Sequence, residues 1–129
     1  MLVLGKFYKT LVEYAERSKP NEVSSMLFGK HEDDKIVTYD IFETSNENES
    51  PTSFVIPNDE LLYGYKEAEK RNLQIIGIFH SHPISEAYPS LTDKKFMIIN
   101  PIVWAIYSGL DKKIKAFTLD DEIKEIPVV

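Results

Sequence analysis

The sequence predicts an α/β fold, with helices packed on a mixed β-sheet, from three observations. Helical and extended patterns alternate along the chain. Two extended runs, 23–29 and 36–43, are joined by a short polar turn, which is typical of an antiparallel hairpin. A third run, residues 74–79, is almost wholly apolar, as in a strand buried on both faces. Because such a hairpin is not a parallel crossover, the strands cannot all be parallel, and we expect a mixed sheet.

The predicted helices are marked by their spacing and their ends. Over 6–18 apolar residues recur at helical spacing, and Pro20 stops the helix shortly afterwards. A second helix is predicted from 58 to about 72, with Asn58 or Asp59 as its N-cap and acidic residues in its first turn. We expect both helices to pack on the sheet.

The rest of the chain divides into loops, short strands and one more helix start. The polar run 44–53 is the best loop candidate, and an extended piece follows it. A short helix is predicted to begin between Ser90 and Asp93, with Ser90 or Thr92 as its cap. The remaining extended segments are 54–56, 102–108, 113–119 and 122–126.

Composition limits the classes of function. A chain of 129 residues with 43% hydrophobic residues suits one domain, spanning 1–129. The net charge of -6 argues against a nucleic-acid partner, and the lack of cysteine excludes thiol catalysis and thiolate metal sites. No run reaches the 18 or so apolar residues of a membrane span, and the apolar start at 1–5 is too short for a signal peptide. We therefore expect a cytoplasmic protein with no membrane partner.

Two histidines and an aspartate form a candidate metal site. His80 and His82 follow the buried strand, and side chains at i and i+2 of a strand point to the same side. Asp93 comes eleven residues after His82, beyond a loop with two prolines that can fold back. Two imidazoles and one carboxylate are typical of catalytic zinc, since three protein ligands leave one position for water.

Hydrolysis at such a site needs two further groups. One is a carboxylate that takes a proton from water and returns it to the leaving group. The other is a donor directed at the oxyanion, and Ser90 lies three residues before Asp93 on the same turn. Ser90 is also a natural helix cap, and the two roles are compatible. Glu86, in the loop between the histidines and Ser90, is one candidate for the carboxylate.

These residues resemble the JAMM (MPN+) zinc metalloprotease motif at its full spacing. The run HSHP at 80–83 and the run SLTD at 90–93 carry the resemblance, and PNE at 20–22 followed by LFG at 27–29 resembles its upstream glutamate segment. The resemblance extends over essentially the whole chain. It implies a cytidine-deaminase-like mixed sheet flanked by helices. It also implies that His80, His82 and Asp93 bind Zn²⁺, that Glu22 is the general acid/base and that Ser90 stabilises the oxyanion.

The resemblance also implies a substrate class and leaves alternatives open. The leading hypothesis is an isopeptidase or peptidase acting at the C-terminus of a ubiquitin-like modifier, whose tail adds a strand beside the 44–56 segment. The second is a peptidase that acts on a sulfur-carrier protein and releases cysteine. A non-catalytic MPN scaffold is a third alternative, disfavoured because every metal ligand of the motif is present. A DNA-repair-associated relative is a fourth, disfavoured because the sequence has no run of basic residues. A homodimer is compatible with the sequence.

Overall fold

The computed structural model describes residues 1–129 and contains seven strands and three helices. The helices are α1 (Phe7–Arg17), α2 (Asn58–Lys70) and α3 (Leu91–Ile99). The strands are β1 (Leu2–Val3), β2 (Ser24–Glu32), β3 (Lys35–Thr44), β4 (Gln74–His82), β5 (Val103–Ser108), β6 (Lys113–Leu119) and β7 (Ile123–Ile126). The predicted α/β class and its mixed sheet are confirmed.

The seven strands form one sheet in the order β1-β3-β2-β4-β5-β6-β7. The β1/β3 and β4/β5 pairs are parallel, and the other neighbours are antiparallel, including the predicted β2/β3 hairpin. The N–H of Leu2 donates to the carbonyl of Pro127 at 2.8 Å, and the N–H of Val129 donates to the carbonyl of Leu2 at 3.0 Å. Because these bonds join segments from opposite ends of the strand order, the sheet curls towards closure.

Apolar side chains cover both faces of the sheet. On one face, Leu11 and Ala15 of α1 pack in a buried cluster with Leu27 and Phe79. On the other face, α2 and α3 cover a second cluster of buried residues. Strand β4 lies between β2 and β5 and is buried from Ile76 onwards, so its C-terminal residues are held from both sides. No helix of the chain has both the length and the apolar character needed to cross a bilayer.

Three local features differ from the sequence-based expectations. The N-cap of α2 is Pro57, with no side-chain cap bond, so the prediction of Asn58 or Asp59 as the cap is wrong. Pro57 fits because its fixed φ, here -56°, suits the entry to a helix, and its carbonyl accepts a hydrogen bond from the Leu61 N–H at 3.0 Å. The two histidines lie within β4, among its last three residues, not beyond its end. Strand β1 was not predicted, because a strand of two residues is too short to show an alternating hydrophobic pattern.

Candidate active site

Three side-chain atoms converge at the C-terminal end of β4. The Nε2 atoms of His80 and His82 are 3.1 Å apart, and Asp93 Oδ2 lies 3.2 Å from the first and 3.1 Å from the second. Ligands at about 2.0–2.1 Å from a tetrahedral zinc ion lie roughly 3.3 Å from one another. The three atoms that the sequence predicts as ligands therefore have the spacing that one small metal ion requires.

Local structure explains why these atoms meet. His80 and His82 point to the same side of β4, and α3 begins beside them with Asp93 in its first turn. The Ser90 hydroxyl accepts a hydrogen bond from the Asp93 N–H at 3.0 Å, and Asp93 Oδ2 accepts one from the Ser90 N–H at 2.9 Å. This capping box fixes both the helix start and the carboxylate. The predicted Ser90 cap is confirmed.

His80 is held in a dry aromatic setting. Its side chain is fully buried, with the Phe54 ring centroid at 4.8 Å and the Trp104 centroid at 5.8 Å. Burial lowers the pKa of His80 to about 4, although the Asp93 charge opposes the shift. The ring is therefore neutral near pH 7, which is the protonation state that binds a metal. Its Nδ1 atom has no hydrogen-bond partner in the chain.

His82 is oriented by the loop that follows it. Its Nδ1 lies 2.9 Å from the carbonyl oxygen of Glu86, and because a carbonyl only accepts, Nδ1 carries the proton. Nε2 is thereby left to face Asp93 and His80. Burial lowers the pKa of His82, but the bonds to Asp93 and to the Glu86 carbonyl outweigh it, so the net pKa is raised. Without metal, His82 and Asp93 thus tend towards an ion pair.

Ser108 holds the same loop from the neighbouring strand. It pairs with His82 across β4 and β5, and its hydroxyl donates to the Ser85 carbonyl at 2.8 Å. The same oxygen accepts from the N–H groups of Leu110 and Asp111, both at 3.1 Å. Ser108 therefore fixes the loop residue next to the carbonyl that orients His82. Sequence reasoning missed Ser108, because nothing in its local pattern signals a contact 23 residues away.

Asp93 is poised as an anion. Burial raises the pKa of its carboxyl, but the hydrogen bond with His82, the charge of His80 and the Ser90 N–H together lower it below its usual value. A buried carboxylate that stays charged, together with two imidazoles, is a donor set suited to a divalent cation. The residues present therefore fit a zinc ion.

Glu22 lies just before β2, next to the cluster. One of its carboxylate oxygens lies within 4.8 Å of nitrogen atoms of both His80 and His82, with no hydrogen bond to either. Burial raises the pKa of Glu22 to about 7; the charge of His82 opposes this shift and that of Asp93 adds to it. A general acid/base works best with a pKa near the operating pH. Asp93 is in direct contact with both imidazoles, whereas Glu22 lies near them without a hydrogen bond to either.

The backbone around Glu22 is fixed on both sides. Its N–H donates to the Ser50 carbonyl at 2.7 Å, and its carbonyl accepts from the Asn46 side chain at 3.0 Å. The next residue, Val23, bonds to Ser81 of β4 through two hydrogen bonds of 3.0 Å. The carboxylate therefore projects from a rigid element, unlike the exposed side chain of Glu86.

The Ser90 hydroxyl retains a free donor. Its oxygen already accepts from the Asp93 N–H, but its own hydrogen has no acceptor in the chain, and the residue is exposed at the mouth of the site. A hydroxyl has one donor and two acceptor positions, so capping the helix leaves the donor available for a substrate oxygen. The cap and oxyanion roles are thus compatible in the observed geometry.

Comparison with known proteins agrees with this arrangement. The family described as prokaryotic homologs of the JAB domain matches residues 6–120. The chain belongs to this family. Membership confirms the resemblance to JAMM proteins that the two short motifs indicated.

Two relatives illustrate the activities found in the family. The desampylase of Pyrococcus furiosus is 30% identical over 130 residues, covering 99% of this chain and 89% of that protein. The CysO-cysteine peptidase of Mycobacterium tuberculosis is 28% identical over 95 residues, covering 74% of this chain. The match spans 64% of that peptidase, which is therefore the longer protein.

Solved structures support the fold. A solution structure of a Desulfitobacterium hafniense protein matches all of this chain and 92% of its own, with a TM-score of 0.86 and 27% identity. A solution structure of a Salinibacter ruber protein covers the whole chain and 90% of its own, with a TM-score of 0.77 and 22% identity. The second likeness bears on the fold alone.

Proposed function

We propose that this chain is a zinc-dependent isopeptidase that hydrolyses the bond between the C-terminus of a ubiquitin-like modifier and its acceptor. The observation that carries the proposal is the contact of His80, His82 and Asp93 within 3.2 Å, with Glu22 beside them. The similarity to a desampylase over 99% of this chain supports the reaction class. A cytoplasmic location and a single domain are part of the same proposal.

His80, His82 and Asp93 would hold the zinc ion, which when bound would supply a Lewis acid and a lowered pKa for water. Glu22, with a pKa of about 7, accepts a proton from the attacking water and then delivers it to the departing amine. The free hydrogen of the Ser90 hydroxyl is donated to the oxyanion that develops on the substrate carbonyl. The partly buried ring of Phe54 and the buried ring of Trp104 exclude bulk water from one side of His80.

The decisive experiment measures release of a modifier. The purified chain is incubated with a lysine-linked conjugate of a ubiquitin-like protein, with zinc, with a chelator, and with zinc restored. We expect cleavage that the chelator abolishes and zinc restores. His80→Ala and Glu22→Gln remove it, whereas Glu69→Gln, an exposed carboxylate on α2, leaves it intact.

Two rival hypotheses predict other outcomes. If Glu86→Gln abolishes cleavage and Glu22→Gln does not, Glu86 is the proton carrier. If the purified chain binds no zinc and cleaves nothing, it is a non-catalytic scaffold of the same fold.

A second candidate substrate is a sulfur-carrier protein that carries a C-terminal cysteine. The similarity to CysO-cysteine peptidase over 74% of this chain favours it, and the same residues would act. The test is mass spectrometry of a carrier protein extended by one cysteine, in competition with the lysine-linked conjugate. Preferential release of free cysteine would favour this candidate over the isopeptidase.

A further inference from the structure

An apolar cavity of about 260 Å³ lies on the face of the sheet that carries His80. Its inner wall is formed by Met26 of β2, Ile78 of β4 and Trp104 of β5. The helices α2 and α3 close its sides, and 10 of the 11 lining residues are hydrophobic. The cavity is smaller than the roughly 300–1,000 Å³ of pockets for drug-sized ligands, and its size suits one or two apolar side chains.

A glycine makes this space possible. Gly64 of α2 is buried against Met26, and a methyl group at this position would overlap the Met26 sulfur atom. Glycine inside a helix costs about 1 kcal/mol relative to alanine, so a packing reason is expected for it. The close approach of α2 brings Leu61 and Tyr65 over the inner wall and gives the cavity its depth.

The cavity is continuous with the candidate active site. Phe54 and Trp104 line the cavity, and their rings also flank His80. Ile78 precedes His80 by two residues on the same face of β4, a distance of about 6.6 Å along a strand. A substrate side chain in the cavity would therefore belong to a residue a few positions away from the substrate bond that is cleaved beside His80.

The segment 54–56 presents a free backbone edge at the cavity mouth. Val55 is bonded inward, since its N–H donates to Asn46 Oδ1 at 3.1 Å and its carbonyl accepts from Glu47 N–H at 3.0 Å. The backbone groups of Phe54 and Ile56 have no hydrogen-bond partner in the chain. This alternation is the pattern of an edge strand, which an extended peptide can extend by backbone pairing.

We infer that this cavity is a specificity pocket for one large apolar side chain in the extended C-terminal tail of the modifier, two to four residues before the cleaved bond. The inference rests on the proposed function for the meaning of that bond. The tail is the occupant because it is the part shared by all conjugates, whereas the acceptor differs from one to the next. The free 54–56 edge aligns the tail, and the pocket selects its register.

The test uses hexapeptides with a fluorescent N-terminus and an aminocoumarin on the last carboxyl. A single leucine is moved through the positions in an otherwise serine and glycine background. Binding is measured by anisotropy and hydrolysis by coumarin release, both on the zinc-loaded protein. Leucine at one position, two to four residues before the coumarin, is expected to strengthen binding about tenfold or more, as burial of one such side chain implies.

Variants identify the pocket. Phe96→Ala and Tyr65→Ala remove half-exposed lining side chains and are expected to reduce the leucine preference to about twofold or less. Leu62→Ala and Ile98→Ala are matched controls, because these residues are exposed on the same two helices but do not line the cavity. The controls are expected to keep the full preference.

The outcomes separate the inference from the proposed function. Equal binding of leucine at every position, or a preference that survives Phe96→Ala and Tyr65→Ala, overturns the pocket whether or not the peptides are cleaved. A positional preference lost in those variants, without hydrolysis of any peptide or conjugate, supports the pocket and overturns the proposed isopeptidase.

Discussion

The carboxyl of Glu22 is expected to make the metal-free protein less stable as pH rises. Burial raises its pKa from 4.5 to about 7, so the folded protein holds a proton that the unfolded chain releases between these values. The free energy of unfolding therefore falls as pH increases through this window and levels off above it. A shift of this size corresponds to about 3 kcal/mol, or about 2 kcal/mol after allowing for solvent near the carboxyl.

Urea unfolding of the metal-free chain at intervals between pH 4.5 and 8 measures this effect. Glu22→Gln resembles the protonated form at every pH, so the difference in stability between wild type and variant isolates the titration of Glu22. The other titrating groups, including His82 and Asp93, are common to both proteins. Glu69→Gln is the control and is expected to follow wild type. A wild-type curve parallel to that of Glu22→Gln would refute the buried, proton-holding role of this carboxyl.

Three further predictions concern the site. Glu22→Gln is expected to lower kcat for modifier release by about 10²- to 10⁴-fold, with loss of the limb of the pH–rate profile near 7; steady-state kinetics across pH check this. Ser90→Gly keeps a tolerated N-cap, so thermal unfolding should change little while kcat falls about 10²- to 10³-fold. Ser108→Ala frees the Ser85 carbonyl and loosens the loop that orients His82, so the zinc Kd should rise about tenfold or more in a chelator competition assay.

The positions of the site residues were predictable where they follow from spacing along a single strand or helix. His80 and His82 are two residues apart on an apolar strand, so their convergence follows from strand geometry. The Ser90 cap and the position of Asp93 in the first turn of α3 follow from helix-start chemistry. The role of Glu22 had no such local signal and came from the resemblance; the structure adds its burial and its nearness to both histidines.

Features that depend on distant backbone were not predictable. The Glu86 carbonyl that orients His82 has no side-chain signature. Ser108 reaches the carbonyl of the preceding residue, Ser85, only because β4 and β5 pair in parallel. From the sequence alone, Gly64 is a residue that destabilises a helix. Its packing against Met26 is visible only in the folded structure. Strand β1 depends on pairing with β3 and with the residues around Val128.

Zinc affinity of two variants tests the central assignment most directly. Asp93 touches both imidazoles, whereas the Glu22 carboxylate lies near them without a hydrogen bond. We therefore propose Asp93 as the third ligand and Glu22 as the proton carrier. With a fluorescent zinc chelator as competitor, Asp93→Ala should raise the zinc Kd by about 100-fold or more, beyond the cost of losing an outer partner. Glu22→Gln should leave the Kd within about threefold of wild type, since it removes no ligand. The reverse pattern, with affinity lost in Glu22→Gln and kept in Asp93→Ala, would contradict the account.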